Sequence, residues 1–172
     1  MNSVPSCIID LPTRRTTRLL AERLAAVTQP GDLLVLSGPL GAGKTFLVRA
    51  LARSMGLPAE ERVTSPTFAL IQELPTRPLL VHADLYRLQQ ADQVFDLGLS
   101  EARASAALVV EWGEPYVDAL GGDAVVVELS RAPRQARLRA TGQRSNQLLA
   151  LLKDRLPLPA PRWRSLRLAE DR

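Results

Sequence analysis

One eight-residue segment constrains this chain more than any other part of its sequence. Residues 38–45 read Gly-Pro-Leu-Gly-Ala-Gly-Lys-Thr, which fits the pattern G-x-x-x-x-G-K-[ST]. The glycines of this pattern let backbone N–H groups wrap around phosphate oxygens. A continuous apolar run at residues 33–36 leads into the segment, and residues 44–55 follow it with apolar positions at helical spacing. Strand, glycine loop and helix therefore occur in the order that a phosphate-binding P-loop requires.

The side chains at the end of this loop predict a nucleoside triphosphate with Mg²⁺, most simply ATP. Lys44 would contact the outer phosphates, and the hydroxyl of Thr45 would bind the metal. Lysine is rare among the basic residues of this chain, so a lysine at position 44 calls for a specific explanation. The helix that follows adds its positive N-terminal end to the same anion site. The residues expected to bind nucleotide in or beside the loop are Gly38, Leu40, Gly41, Ala42, Gly43, Lys44, Thr45 and Phe46.

The other apolar segments predict an α/β fold: a P-loop NTPase-like mixed β-sheet flanked by helices in a single domain. A chain of 172 residues can fill one core and not two. We expect the ATPase domain at residues 1–155 and a basic, Pro/Arg-rich, flexible tail at 156–172. The predicted elements outside the P-loop unit are a short apolar stretch at Ile8 and Ile9, a helix at 15–27, a hairpin at 67–74 and 79–85, strands at 107–110 and 124–129, an edge strand at 137–141 and a helix at 146–152.

Two acidic residues stand at the ends of predicted strands. The run 107–110 is followed by Glu111, and the strand at 79–85 contains Asp84 near its end. If these strands run parallel to the strand before the P-loop, both carboxylates lie at the carboxyl edge of the sheet, where ligands bind. A P-loop needs such a carboxylate to hold Mg²⁺ or its waters. His82 is the only histidine, and a lone histidine within a strand is more often packed or hydrogen-bonded than catalytic.

Composition narrows the compartment and the partners. Cys7 is the only cysteine, the N-terminus lacks a basic segment followed by an apolar run, and no eighteen apolar residues occur together. We therefore expect a cytoplasmic protein that makes no membrane contact. The charge is uneven: residues 1–130 carry a net −4, whereas residues 131–172 carry +8. A basic segment on an acidic body predicts possible contact with tRNA, a phosphate-bearing ligand or an acidic partner.

The motifs taken together resemble one family. After the P-loop come Ser65-Pro66-Thr67-Phe68, then His82-Ala83-Asp84-Leu85-Tyr86-Arg87-Leu88, then Val110-Glu111-Trp112. This set is similar to the TsaE (YjeE) family over roughly residues 11–141. That family is the ATPase component of the bacterial machinery that installs threonylcarbamoyl on adenosine 37 of tRNAs reading ANN codons. The resemblance implies a cytoplasmic ATPase that acts with the TsaD and TsaB proteins, that hydrolyses ATP with Mg²⁺ and that has weak activity without its partners.

The resemblance also implies roles for single residues. Lys44, Asp84 and Glu111 match the catalytic positions, and Thr45, Glu111 and Asp84 match those linked to Mg²⁺. Thr67 falls in a loop that could sense the γ-phosphate, and Arg134 or Arg137 corresponds to an arginine that reaches the nucleotide. Two positions depart from the family: Pro39 stands where Asp is usual, and Phe46 where a second Thr is common.

Two other functions stay open at this point. A small-molecule kinase would use the basic stretch 131–139 as an arginine-bearing lid over an acceptor. A nucleotide-dependent switch would bind ATP without hydrolysis and alter a partner. The kinase alternative leaves the Ser65 and His82 motifs without a role, and phosphate release in the absence of an acceptor would separate the three.

Overall fold

Seven strands form one mixed sheet in the order β1-β7-β6-β2-β5-β4-β3 in the computed structural model, which describes residues 6–155. The predicted α/β fold with a mixed sheet is confirmed. The strands are β1 (Ser6–Asp10), β2 (Leu33–Ser37), β3 (Ile71–Leu74), β4 (Leu80–Asp84), β5 (Ala107–Glu111), β6 (Val125–Arg131) and β7 (Arg134–Ala140). The helices are α1 (Arg14–Ala25), α2 (Lys44–Ser54), α3 (Asp92–Phe95), α4 (Leu99–Ala102) and α5 (Gln143–Asp154), with a 3₁₀ helix at Glu114–Tyr116.

The centre of the sheet is parallel and its two sides are antiparallel. Strand β2 pairs in parallel with β5 and β6, and β4 pairs in parallel with β5. Every residue of β2, β4 and β5 is buried, which is the burial expected for parallel strands covered on both faces. The parallel arrangement brings the carboxyl ends of β2, β5 and β4 to one edge, where the P-loop begins.

Helices cover both faces of the sheet. Alternate residues of the central strands point to opposite faces, so Leu34 and Leu36 enter one core and Leu33 and Val35 the other. The first core packs against α1, α2 and α5, and the second against α3, α4 and the segment around Leu120. Helix α1 starts where the Thr13 and Thr16 side chains form a reciprocal capping box, which satisfies N–H groups of the first turn.

The structure corrects the sequence prediction in three places. Residues 137–141 were expected at an edge, but β7 lies inside the sheet, because β1 pairs with it along its whole length. The first half of the predicted strand 67–74 is a turn, and β3 begins only at Ile71. The short helices α3 and α4 were not predicted, because four residues are too few to show a helical period.

Two further expectations concern the C-terminal tail and membrane contact. The predicted tail at residues 156–172 lies outside the described part of the chain. Among the helices of residues 6–155, none has the length and hydrophobicity that crossing a membrane would need.

Candidate nucleotide site

The P-loop connects the end of β2 to the start of α2. Gly38 has a φ of +117°, and a Cβ at this position would stand 2.1 Å from the Leu129 carbonyl oxygen, so only glycine fits. Gly43 immediately precedes α2, also with a positive φ, and no side chain caps that helix. The first backbone N–H groups of α2 are therefore free of a side-chain cap at the end that carries the positive dipole.

Lys44 is a buried cation within this loop. Its side chain is 5% exposed, and its Nζ donates to the carbonyl oxygens of Gly38 at 2.8 Å and Pro39 at 3.1 Å. The same Nζ lies 3.8 Å from the centre of the Trp112 ring, which attracts a cation through its negative face. Burial lowers the pKa of Lys44, and the nearby carboxylates of Glu111 and Asp84 oppose part of that effect.

The two predicted carboxylates stand side by side. Strands β4 and β5 pair with Asp84 opposite Glu111, and Leu36 pairs with Glu111 on the other side. Both acids are almost fully buried. The geometric expectation that parallel strands bring these acids to the P-loop is thus met.

Glu111 is held by two side chains, one on each oxygen. The Thr45 hydroxyl donates to Oε2 at 3.1 Å, and His82 Nε2 lies 3.0 Å from Oε1. An ionised carboxylate can only accept, so the histidine carries a proton on Nε2 in this pair. His82 is completely buried, and within residues 6–155 its Nδ1 has no hydrogen-bond partner. His82 thus fixes the orientation of the Glu111 carboxylate.

Asp84 is held from the opposite direction, by the loop that precedes β3. Its Oδ2 accepts hydrogen bonds from the hydroxyls of Ser65 and Thr67, the second at 3.0 Å, and the two hydroxyls are 2.8 Å apart. Its Oδ1 accepts from the backbone N–H of Tyr86 at 3.0 Å. The loop that the sequence linked to the γ-phosphate is thus tied to Asp84 by two hydroxyls, and the Asp84 N–H donates to the Leu70 carbonyl oxygen at the end of the same loop.

The sequence did not predict the side-chain contacts of two residues, Ser65 and His82. Ser65 was quoted only as part of a motif, although its hydroxyl reaches Asp84. His82 was expected to be packed or hydrogen-bonded, which is the case, but its partner was not foreseen. Residues two apart in a strand share a face, so the sequence already indicated that the His82 and Asp84 side chains lie on the same face of the sheet.

The predicted nucleotide residues surround connected spaces at this edge of the sheet. A cavity of about 430 Å³ brings together most of them. Ala42 and Arg134 line a neighbouring space of about 150 Å³ with Gly41 and Gly43, and Gly38 lies beside Pro39 and Trp112. Arg137 instead faces Glu128 at 3.8 Å. Of the predicted residues, the 430 Å³ cavity contains Leu40, Gly41, Gly43, Lys44, Thr45, Phe46, Thr67, Asp84 and Glu111.

The stretch 131–139, which the kinase alternative treats as a lid, lies in the β6–β7 hairpin: it contains the last residue of β6, the turn and most of β7. Arg131 and Arg134 are directly opposite each other at the tip of the β6–β7 hairpin, and the pairing continues down to Val125 and Ala140. A segment built into the sheet cannot close over an acceptor as a lid does. The hairpin therefore does not provide the arginine-bearing lid on which the kinase alternative depends.

The oxygen groups at the site suit Mg²⁺. A hydroxyl and two carboxylates are hard oxygen donors, and Mg²⁺ in such sites is held by one or two carboxylates together with phosphate oxygens. Within residues 6–155 no group of three or more His, Cys, Asp or Glu side chains forms a metal cage. The described residues at the cavity thus offer a hydroxyl and two carboxylates, which is only part of a coordination shell.

Comparison with known proteins settles the family. The model for "Threonylcarbamoyl adenosine biosynthesis protein TsaE" matches residues 11–139. The chain belongs to the TsaE family. Among named TsaE proteins, one from Streptomyces coelicolor is 43% identical over 119 residues, covering 67% of this chain and 79% of the relative. One from Mycobacterium tuberculosis is 40% identical over 131 residues, covering 70% of this chain and 77% of the relative.

The fold is also shared with a solved structure. The crystal structure of YdiB from Bacillus subtilis superposes with a TM-score of 0.72 at 26% identity. The superposition covers 90% of this chain and 99% of that one. The TsaE resemblance drawn from the motifs is therefore confirmed, together with the P-loop NTPase-like fold.

Proposed function

We propose that this chain is a P-loop ATPase of tRNA threonylcarbamoyladenosine biosynthesis, which hydrolyses ATP with Mg²⁺ to drive turnover of a TsaB/TsaD complex. The observation that carries the proposal is the convergence of Lys44, Thr45, Asp84 and Glu111 at the carboxyl edge of β2, β5 and β4. The relatives named as tRNA threonylcarbamoyladenosine biosynthesis proteins support the pathway. A role in tRNA modification fits a cytoplasmic site of action.

The protein residues bind and orient the reacting groups. Lys44 has three N–H donors, of which two go to loop carbonyls, so one is left for an outer phosphate oxygen. Mg²⁺, when bound, would supply positive charge that offsets the negative charge developing during phosphoryl transfer. Thr45 and Glu111 would hold that ion, and His82 keeps Glu111 in the orientation it needs.

Asp84 and the loop at 65–68 are suited to respond to the γ-phosphate. The hydroxyls of Ser65 and Thr67 share one oxygen of Asp84, and a phosphate oxygen close by would compete for the same donors. Hydroxyl contacts to a carboxylate can be exchanged one at a time, without breaking a strand. We assign Asp84 a role in placing this loop and in holding the water shell of the metal.

Dependence on partners has a physical basis at the cavity mouth. Leu40 is 77% exposed, Phe68 is 84% exposed and Tyr86 is also exposed. These side chains lie in or next to the segments that line the cavity, where water has free access. A partner that covers them would bury apolar surface and exclude water from the phosphates, which favours phosphoryl transfer.

The test is phosphate release from ATP in buffer without an acceptor, by the chain alone and with TsaB and TsaD. We expect slow release alone and at least about tenfold stimulation by both partners. Glu111→Gln should abolish the stimulated release, whereas Glu101→Gln, the same change at an exposed position on α4, should leave it intact. Tight ATP binding with no phosphate release under any condition would contradict the hydrolysis and favour the switch.

A further inference from the structure

A basic groove lies between α1 and α2, beside the nucleotide site. It encloses about 1040 Å³ and is lined by five arginines and one acidic side chain, Glu22. Its lining residues include Phe46, which also lines the nucleotide cavity. The arginines are Arg14, Arg18, Arg49, Arg53 and Arg77.

Each helix contributes two arginines spaced four residues apart. Arg14 and Arg18 are on α1, and Arg49 and Arg53 are on α2. Residues four apart share one face of a helix, with Cβ atoms about 6 Å apart, so each wall carries a short row of positive charge. Helix α1 is 12 residues long, which is about 18 Å, enough to follow several residues of an extended partner.

The five guanidinium groups divide into two sets. Arg49 donates to the Val63 carbonyl oxygen, and Arg53 donates to a run of carbonyl oxygens in the loop after α2, so both are anchored. Arg14, Arg18 and Arg77 are exposed and form no ion pair or side-chain hydrogen bond with any residue between 6 and 155. The groove therefore has a rigid positive floor and three guanidinium groups with unused donors.

The Phe46 ring supports two of the free arginines. The guanidinium of Arg14 lies 5.8 Å and that of Arg18 5.7 Å from the ring centre. A guanidinium stacked on a ring keeps its in-plane N–H donors available for a second partner. The contact with the ring restricts both side chains, which lowers the entropy cost of binding an anion.

The chemistry of the groove fits a phosphate chain better than an acidic protein surface. Protein–protein interfaces combine arginine with large aromatic and apolar side chains, whereas nucleic-acid interfaces are polar and strongly positive. The apolar lining here consists mainly of small side chains such as Ala25 and Ala50, and the most exposed large apolar side chains, Phe68 and Leu40, lie elsewhere. Arginine forks match phosphate oxygens in pairs.

We infer that the α1–α2 arginine groove binds the phosphodiester backbone of RNA. The preference for RNA over DNA rests on the proposed function in tRNA modification, whereas the phosphate specificity rests on the groove alone. Backbone contacts of this kind set affinity and position without reading sequence. An RNA held here would lie against Phe46, at the rim of the nucleotide site.

The experiment measures binding of the full chain to a fluorescent, unmodified tRNA transcript, without nucleotide, at several salt concentrations. The test variant is Arg18→Glu with Arg77→Glu, two groove arginines outside the nucleotide cavities. The matched control is Arg15→Glu with Arg62→Glu, two exposed arginines outside the groove, and both doubles lower the net charge of +4 by the same amount. Circular dichroism and ATP binding confirm that both variants fold.

We expect the wild type to lose affinity with salt at a log–log slope of about −3, as for three phosphate contacts. The groove double should bind tRNA at least about tenfold more weakly, and the control double should stay within about threefold. Equal losses in both doubles, or no binding by the wild type at low salt, overturn the inference. Equal affinity for a DNA duplex of the same length overturns the choice of RNA.

The same variants test whether the groove binds a protein partner instead of RNA. If the groove double binds tRNA normally but no longer associates with TsaB and TsaD, the groove is a protein interface and the inference is wrong. Phosphate release is measured separately, so failure of RNA binding and failure of the ATPase proposal remain distinguishable.

Discussion

The proposed phosphate site around Lys44 and the arginine groove are neighbours that present positive charge in different ways. The phosphate site buries a single lysine among backbone carbonyls and two carboxylates, so its charge is focused on one point. The groove spreads guanidinium groups over α1, α2 and the turn that contains Arg77, with one glutamate among them. A buried charge acts strongly over a short range, whereas exposed charges act weakly and are screened by salt.

The contrast also shows how poorly net charge along a sequence locates an anion-binding surface. The first 130 residues carry a net −4, yet they supply every arginine of the groove. The C-terminal part carries +8, but Arg137, Arg139 and Arg144 face Glu128, Glu114 and Asp32 within the domain. In the folded domain, ion pairs neutralise several arginines of the basic C-terminal segment, whereas arginines of the acidic first 130 residues come together in the groove.

The largest effect should come from removing the focused charge. Lys44→Ala should weaken ATP binding about 100-fold, because a hydrogen bond between charged groups contributes up to about 3 kcal/mol. The tRNA affinity should stay unchanged, since the groove does not contain this residue. Titrating each variant with fluorescent ATP and fluorescent tRNA measures both. A parallel loss of tRNA affinity would mean that the two regions are one site.

A second variant separates binding from turnover within the phosphate site. Glu111→Gln keeps the shape of the side chain but removes its charge, so phosphate release should fall about 100-fold while ATP affinity changes only a few-fold. The Mg²⁺ concentration needed for half-maximal ATP binding should rise, because a carboxylate near the metal is lost. Unchanged phosphate release in the presence of partners would show that Glu111 does not act on the reacting groups.

The sequence predicted which residues meet at the proposed phosphate site, but it did not predict the groove, and the reason is physical. The P-loop is local: eight consecutive residues contain the backbone and side-chain groups, and parallel strand ends then bring Asp84 and Glu111 to it. The groove is formed only when α1 packs on α2, which joins Arg18 to Arg53 from segments far apart in the chain. No local pattern records that contact.

The same distinction applies to the fold. The apolar runs that form β2 and β5 predicted buried parallel strands, because burial on both faces removes polar positions. The place of β7 was missed, since pairing with β1 joins residues over a hundred positions apart. The Ser65 contact to Asp84 was missed for a related reason: a loop has no period from which side-chain direction can be deduced.

At alkaline pH, ATP affinity should fall by up to about tenfold per pH unit, whereas tRNA affinity should not change. Burial lowers the pKa of Lys44, so as pH rises its ammonium loses a proton earlier than an ordinary lysine does, and its attraction for phosphate is lost. ATP affinity should therefore begin to fall at a pH below the ordinary lysine pKa of about 10.4. Arginines stay charged in this range, so tRNA affinity should remain constant.

Lys44→Arg is the control for this pH series. A guanidinium does not titrate below about pH 12, so whatever affinity this variant keeps should not depend on pH over the same range. If wild-type ATP affinity stays constant as the pH rises through the ordinary lysine pKa of about 10.4, the lysine is not the group that contacts the phosphates. If tRNA affinity falls in parallel, a titrating group other than arginine contributes to the groove.

The smallest effect should come from a single groove arginine. Arg18→Ala removes one exposed charge, so tRNA affinity should fall only about two- to fivefold, and the salt slope should become shallower by about one. Arg15→Ala, on the same helix but outside the groove, should change neither. Because screening acts on exposed charges, the difference between the two variants should shrink as salt rises. A salt slope that Arg18→Ala leaves unchanged would show that this side chain contacts no phosphate, however much the affinity falls.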